Sequence, residues 1–290
     1  NRADGPWDTA SFRHDADFAD TEHLIGIGID PESGTTLDGR FYSASYLRLR
    51  EGVALGVLAH APDKGLDGAD LVEKLLQQDQ RIVVGGQQRV CRTTRLRRPN
   101  SRLPLPKGLT TTADFGPRPG GKFAVKWILL SPAIWPEMES KAGTNIVPHP
   151  GGWLPNWICA ESGAVLLRAG KADQPRRPTS RETWRAAVRN MLPISARLVA
   201  AVVPKPIVVT GWSLGVTNGT PSGAKPTQLA VPAGAVYHFE ADTAEAAVQL
   251  AAALNWHGTS DGTAIQNRRS TLCGEKGFGL GVCSTWSLGA

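Results

Sequence analysis

Acid is missing from one long interval of this 290-residue chain, cysteine is scarce, and no apolar run is long. The four cysteines, Cys91, Cys159, Cys273 and Cys283, form no Cys-x-x-Cys pair. Their scatter argues against a zinc ribbon and a disulfide framework, and predicts a reducing, cytoplasmic setting. No apolar stretch approaches the roughly 20 residues that span a bilayer, so no membrane partner is expected. The chain opens on Asn1 without a signal-peptide pattern, and is read as lacking a first strand. Six histidines, His14, His23, His60, His149, His238 and His257, show no metal-ligand spacing, so neither a metal nor another cofactor is expected.

Three familiar spellings also fail. Gly116-Pro-Arg-Pro-Gly-Gly121-Lys122 approaches a phosphate loop, but Phe123 stands where a magnesium-binding hydroxyl belongs. Pro117 and Pro119 further remove backbone donors from it. Gly211-Trp-Ser213-Leu-Gly215 spells a hydrolase elbow, yet a loop rather than a helix follows it. Asp15, Asp17 and Asp20 near His14 and His23 offer oxygen and nitrogen ligands, but in a terminal segment. No catalytic set results.

What is present is arginine. No Asp or Glu occurs between Asp79 and Asp114, while Arg81, Arg89, Arg92, Arg95, Arg97, Arg98, Arg102 and Lys107 do. A second basic block carries Arg168, Lys171, Arg176, Arg177, Arg181, Arg185, Arg189 and Arg197 against Asp173 and Glu182. Guanidinium forks match phosphate oxygens, so these blocks point to a polyanion, and a nucleic acid in particular.

Hydrophobic content of 41% with 20% charged residues places the chain among soluble globular proteins. Leu24–Ile29, Phe41–Leu49 and Val53–Ala59 read as a β-meander turned at Asp38-Gly39 and Glu51-Gly52. A helix carries Leu71, Val72, Leu75 and Leu76, capped by Asp67 and Asp70. Strands follow at Ile82–Val84, Arg89–Leu96, Lys122–Leu130, Arg197–Val203, Ile207–Trp212 and Ala235–Glu240. Thr179-x-x-Glu182 opens one helix, and Asp242 with Glu245 caps another that buries Ala247, Leu250, Ala251 and Leu254. The fold class expected is α+β: two ferredoxin-like (RRM-like) units with long irregular insertions, the first truncated. The units are placed at 1–204 and 205–290.

Near the C-terminus, Gly274-Glu-Lys276-Gly277-Phe278-Gly279-Leu-Gly281 is a backbone stripped of side chains, able to approach a phosphate chain. Cys273 and Cys283 flank it and could face each other. Lys276 adds charge, Phe278 an aromatic ring for an unpaired base, and Arg268 and Arg269 extend the phosphate path. Gln87, Gln88 and Arg89 follow Gly85-Gly86, with Arg92 and Arg95 beyond. These thirteen positions are the expected RNA-binding residues.

Several runs resemble the Cas5-like RAMP subunit of type III-B CRISPR effectors, the third subunit of the Cmr complex. They include Gly26-Ile-Gly-Ile-Asp30, Asp38-Gly-Arg-Phe-Tyr42, Val84-Gly-Gly-Gln-Gln-Arg89 and Leu129-Leu-Ser-Pro132. Gly152-Trp-Leu-Pro155, Thr210-Gly-Trp212, Val231-Pro-Ala-Gly-Ala-Val-Tyr237 and Gly274–Gly281 continue the series in order. The resemblance implies a non-catalytic subunit that holds the 5′ handle of the guide RNA (crRNA) in antiviral defence. Its implied neighbours are the large polymerase-like subunit and the backbone subunits, with target RNA met indirectly. Two other functions compete with this one. One is a RAMP-type endoribonuclease using His14, His23 or His60 as general base; the other is a purely structural assembly subunit.

Overall fold

The structure, a computed structural model, describes residues 15–57, 71–76, 79–84, 90–94, 111–140, 147–168, 191–213, 223–259 and 265–286. It is mixed and strand-rich, and divides into two compact units, Arg2–Pro99 and Asn100–Ala290. The expected boundary at 204/205 falls inside the second of these.

In the N-terminal unit a short helix α1 (Asp15–Phe18) leads into an antiparallel ribbon of β1 (Ala19–Ile29) and β2 (Thr36–Leu49). The turn lies at Asp30–Thr35, not at Asp38-Gly39, which is inside β2. Asp30 explains the shift: its carboxylate accepts from the Glu32 and Ser33 amides, and Gly34 takes a positive φ of 67°. Glu51-Gly52 turns as expected, with φ of 77° at Gly52, but residues 53–57 form no strand. The meander is therefore a two-stranded ribbon. A short helix α2 (Leu71–Leu75) and a second ribbon, β3 (Gln80–Val83) with β4 (Val90–Thr93), complete the described part of this unit. The Asp67 and Asp70 caps, Gly85-Gly86 and the helix expected from Thr179 lie outside the described residues.

The C-terminal unit is built on an antiparallel sheet of β5 (Phe123–Leu129), β6 (Ala196–Val202), β11 (Val236–Ala241) and β12 (Gly281–Ser284). Their spatial order is β12-β5-β11-β6. Between β6 and β11 come two small ribbons: β7 (Ile207–Val209) pairs with β10 (Gln228–Ala230), and β8 (Trp212–Ser213) with β9 (Gly223–Ala224). Helix α3 (Ala244–Leu254) connects β11 to the segment before β12.

Alternation in β5 and β11 sorts the side chains. Val125, Trp127, Leu129, Tyr237 and Phe239 face the core with Cys283 of β12. Helix α3 presents Ala246, Ala247, Leu250, Ala251 and Leu254, whose small residues let helix and sheet approach closely. The Trp127 indole spans this gap and donates to the Leu254 carbonyl at 3.0 Å. The helix begins differently from expectation. Thr243 is the N-cap, its hydroxyl accepting from the Ala246 amide. Asp242 instead accepts from Lys122 at 2.8 Å and from Ser195. The cysteines are free thiols, and Cys283 is buried with Sγ directed at the Ala251 carbonyl rather than at Cys273.

Candidate nucleic-acid interface

The glycine-rich segment is a folded turn rather than an open ribbon. Cys273 takes a left-handed φ of 57°, a 3-10 turn spans Gly274–Lys276, and Gly277 closes it at φ of 85°. The Lys276 amide bonds back to the Cys273 carbonyl at 2.9 Å, and the Gly277 amide to Gly274 at 3.0 Å. Lys276 and Glu275 are exposed, Phe278 is half-buried, and nothing lies within 4 Å of where a Gly277 side chain would start.

Gly279 and Gly281 are small for another reason. A Cβ on Gly279, which has a φ of 78°, would overlap the backbone of Arg269 and Ser270. One on Gly281 would strike the Trp127 indole and the Ile128 carbonyl. Their bareness serves the protein's own packing. Gly274 has milder constraints, meeting only the Arg268 side chain at 3.6 Å.

The two arginines before the turn differ sharply. Arg268 is exposed and, among the described residues, makes no ion pair. Arg269 turns inward. Its Nε donates to the Ala253 carbonyl at 2.7 Å and its Nη2 to the same carbonyl and to Asn267 Oδ1. A cation there satisfies the carbonyl end of α3, where the helix dipole is negative. Burial lowers its pKa to about 10, which still leaves it charged at neutral pH. Its own carbonyl accepts the indole N–H groups of Trp135 at 2.7 Å and Trp157 at 3.3 Å.

A strap over residues 131–158 holds this turn in place. The Gly279 amide donates to Pro132, the Thr271 amide to Ile134, and the Thr271 hydroxyl to Asn156 Oδ1 at 2.7 Å. Asn156 also donates to the Pro136 carbonyl, and buried His149 accepts from the Gly151 amide at 2.9 Å. At the strap's tip Trp153 is 52% exposed. It escapes sequence reasoning because Gly152-Trp-Leu-Pro155 reads only as an irregular loop. The paired glycines before a lone aromatic were the available signal.

The open sheet face carries half-buried Lys126, His238, Glu240, Ser284 and Trp286. Four-stranded sheets often stack bases on such a face. Here its cations are engaged internally: Arg118 pairs with Glu240 at 3.1 Å and lies 3.9 Å above the Trp286 ring. Arg197 adds a 3.8 Å contact to Glu240.

In the N-terminal unit, Arg92 is exposed on β4 with Asp79 at 3.4 Å. Gln87, Gln88, Arg89 and Arg95 lie outside the described residues, as do most of the second basic block and His14 and His60. His23 Nδ1 meets the Ser45 hydroxyl at 2.8 Å. Asp20 pairs with Arg50 at 2.9 Å. Among the described residues no group of three His, Cys, Asp or Glu stands together to hold a metal, and no helix is long and apolar enough to cross a membrane. The expected site thus assembles in part: Arg268, Gly274, Lys276, Gly277 and Phe278 share one turn of the C-terminal unit.

A family model described as CRISPR-associated protein (Cas_Cmr3) matches residues 3–286. No curated protein matches the chain.

Proposed function

The chain belongs to the Cas_Cmr3 family, CRISPR-associated subunits of the type III-B Cmr effector complex, and from that premise we propose that it is a non-catalytic guide-RNA-binding subunit. It holds the 5′ handle of the crRNA beside the large polymerase-like subunit and the backbone subunits, in the cytoplasm, meeting target RNA only indirectly. The observation that carries this reading is the exposed turn at Gly274–Phe278, with Lys276 and Arg268 facing solvent and Gly277 unobstructed. Phosphate oxygens can approach the bare Gly277 backbone while the two cations neutralise them.

The fold supports the same reading. In chain order the sheet strands stand fourth, first, third, second, all antiparallel, with α3 crossing between the third and fourth. That order fits a ferredoxin-like unit, the architecture of many single-strand RNA binders. Arg89, Arg92 and Arg95, with Gln87 and Gln88, are assigned to the same RNA from the N-terminal unit.

Binding of a labelled handle RNA to the purified chain over a salt series tests the proposal. R268A/K276A is expected to bind more weakly, with a salt slope reduced by about 2, one for each lost phosphate contact. Wild-type affinity with an unchanged slope overturns the reading. Site-specific cutting of repeat RNA that disappears in H23A would replace it with the endoribonuclease. Stable assembly with partner subunits but no affinity for RNA would replace it with a structural role.

A further inference from the structure

Trp153 differs from the other tryptophans of its unit. Trp127, Trp135, Trp157 and Trp286 each donate their indole N–H to a backbone carbonyl, and each packs against another ring. Trp153 does neither among the described residues, and half of it meets solvent. An indole is the largest apolar side chain, and leaving it exposed forgoes much of its burial energy.

Its mounting is rigid. Gly151 and Gly152 both take positive φ, at 60° and 67°, and a Cβ at Gly151 would overlap the Trp135 and Pro136 backbone. The Trp153 carbonyl accepts the hydroxyl of fully buried Tyr237 at 2.6 Å, and the next residue, Leu154, is buried. The backbone of Trp153 is therefore anchored to the core while its ring points out. A rigid aromatic loses little entropy when it captures a ligand.

The strap bearing it is also tied to the basic turn. Asn156, three residues after Trp153, accepts the hydroxyl of Thr271, three residues after Arg268. We infer that Trp153 stacks on an unpaired nucleobase of the single-stranded RNA whose phosphates meet Arg268 and Lys276. This inference rests on the RNA-binding reading and extends it by a residue on a second loop. Stacking needs no charge, so the exposed Glu137 and Glu139 elsewhere on the strap do not oppose it as they would oppose a phosphate contact.

The test uses the purified full chain and a fluorescein-labelled single-stranded handle RNA, with a series of copies each carrying one abasic position. Loss of one stacked base corresponds to about 1–3 kcal/mol, or roughly 5- to 150-fold in affinity. W153L is expected to lose that much at every salt concentration, with the salt slope unchanged; W153F retains most of the affinity. One abasic position that weakens the wild type should have no further effect on W153L. An unaltered melting temperature of W153L confirms that the loop still folds. RNA affinity of W153L equal to wild type, or equal abasic sensitivity in both, overturns the inference while leaving the Lys276 and Arg268 result intact. Failure of the wild type to bind RNA at all overturns the RNA-binding reading itself. Weakened association with partner subunits at unchanged RNA affinity would make Trp153 a protein anchor, and also refutes the stacking role.

Discussion

Glycines 277 and 279 lie two positions apart, and both need a left-handed backbone, yet they answer different demands. At Gly277 an added methyl meets open space, so Gly277→Ala costs only the conformational penalty, about 1 kcal/mol. At Gly279 the same methyl overlaps the backbone of the preceding arginine segment. Gly279→Ala should therefore lower the melting temperature several-fold more than Gly277→Ala, measured by thermal unfolding of the two variants. Equal shifts would show that the turn does not pack as described. The distinction guards functional experiments: lost RNA binding in a Gly279 or Gly281 variant reports misfolding, whereas Gly277 and Lys276 can be altered with the frame intact. Arg269 belongs with the first group, because its guanidinium completes the end of a helix.

Helix α3 shows how an element is stabilised from both its ends and its middle. Thr243 satisfies an orphan amide of the first turn, and Thr243→Ala should cost about 1 kcal/mol in denaturant unfolding. Leu250 is fully buried between helix and sheet, and Leu250→Ala should cost about 2–5 kcal/mol, with the spread set by how far the Ala-rich surroundings can collapse. A Leu250→Ala variant no less stable than Thr243→Ala would refute the packing of this face. The helix stripe was legible in the sequence because its 3.6-residue period is local. The cap was misassigned to Asp242, since only the folded sheet brings Lys122 and Ser195 beside that carboxylate and draws it away from the helix. The hairpin turn moved for a comparable reason. Asp38-Gly39 and Asp30–Gly34 both spell turns, and the register of β1 against β2 selects the second.

Two groups give the C-terminal unit its pH response. Hydrogen bonds from Lys122 and then Ser195 hold the Asp242 carboxyl below the usual carboxylate range. Its contribution is present above the unfolded value of about 3.9 and is lost as pH falls through the lower folded value. Burial, and then the charge of Lys126, push the His238 imidazole down, and its Nδ1 is buried with no hydrogen-bond partner among the described residues. The fold favours its neutral form, so this contribution is present above about 6.5 and is lost on acidification below that pH. His238→Gln should flatten the stability profile just below neutrality, and Asp242→Asn should flatten it only near pH 4 and below. Urea midpoints across pH check both, and identical profiles for wild type and variants would remove these groups from the account. Because the cations of the sheet face serve such internal contacts, the solvent-facing charge of this unit is found instead at Arg268 and Lys276.

By itself the sequence determined the family, the α+β class, the positions of the main strands and the glycine-rich turn with its neighbouring cations. Each of these is encoded in adjacent residues, through periodicity, turn chemistry or ordered short motifs. Tertiary structure decided which members of that list face solvent. Arg268 and Arg269 are alike as letters, and only the end of α3, distant in sequence, turns one inward. Gly277 and Gly281 likewise diverge because Trp127 packs against one and nothing approaches the other. Exposure of Trp153 was equally hidden, since the buried Tyr237 that anchors its backbone lies 84 residues further along the chain.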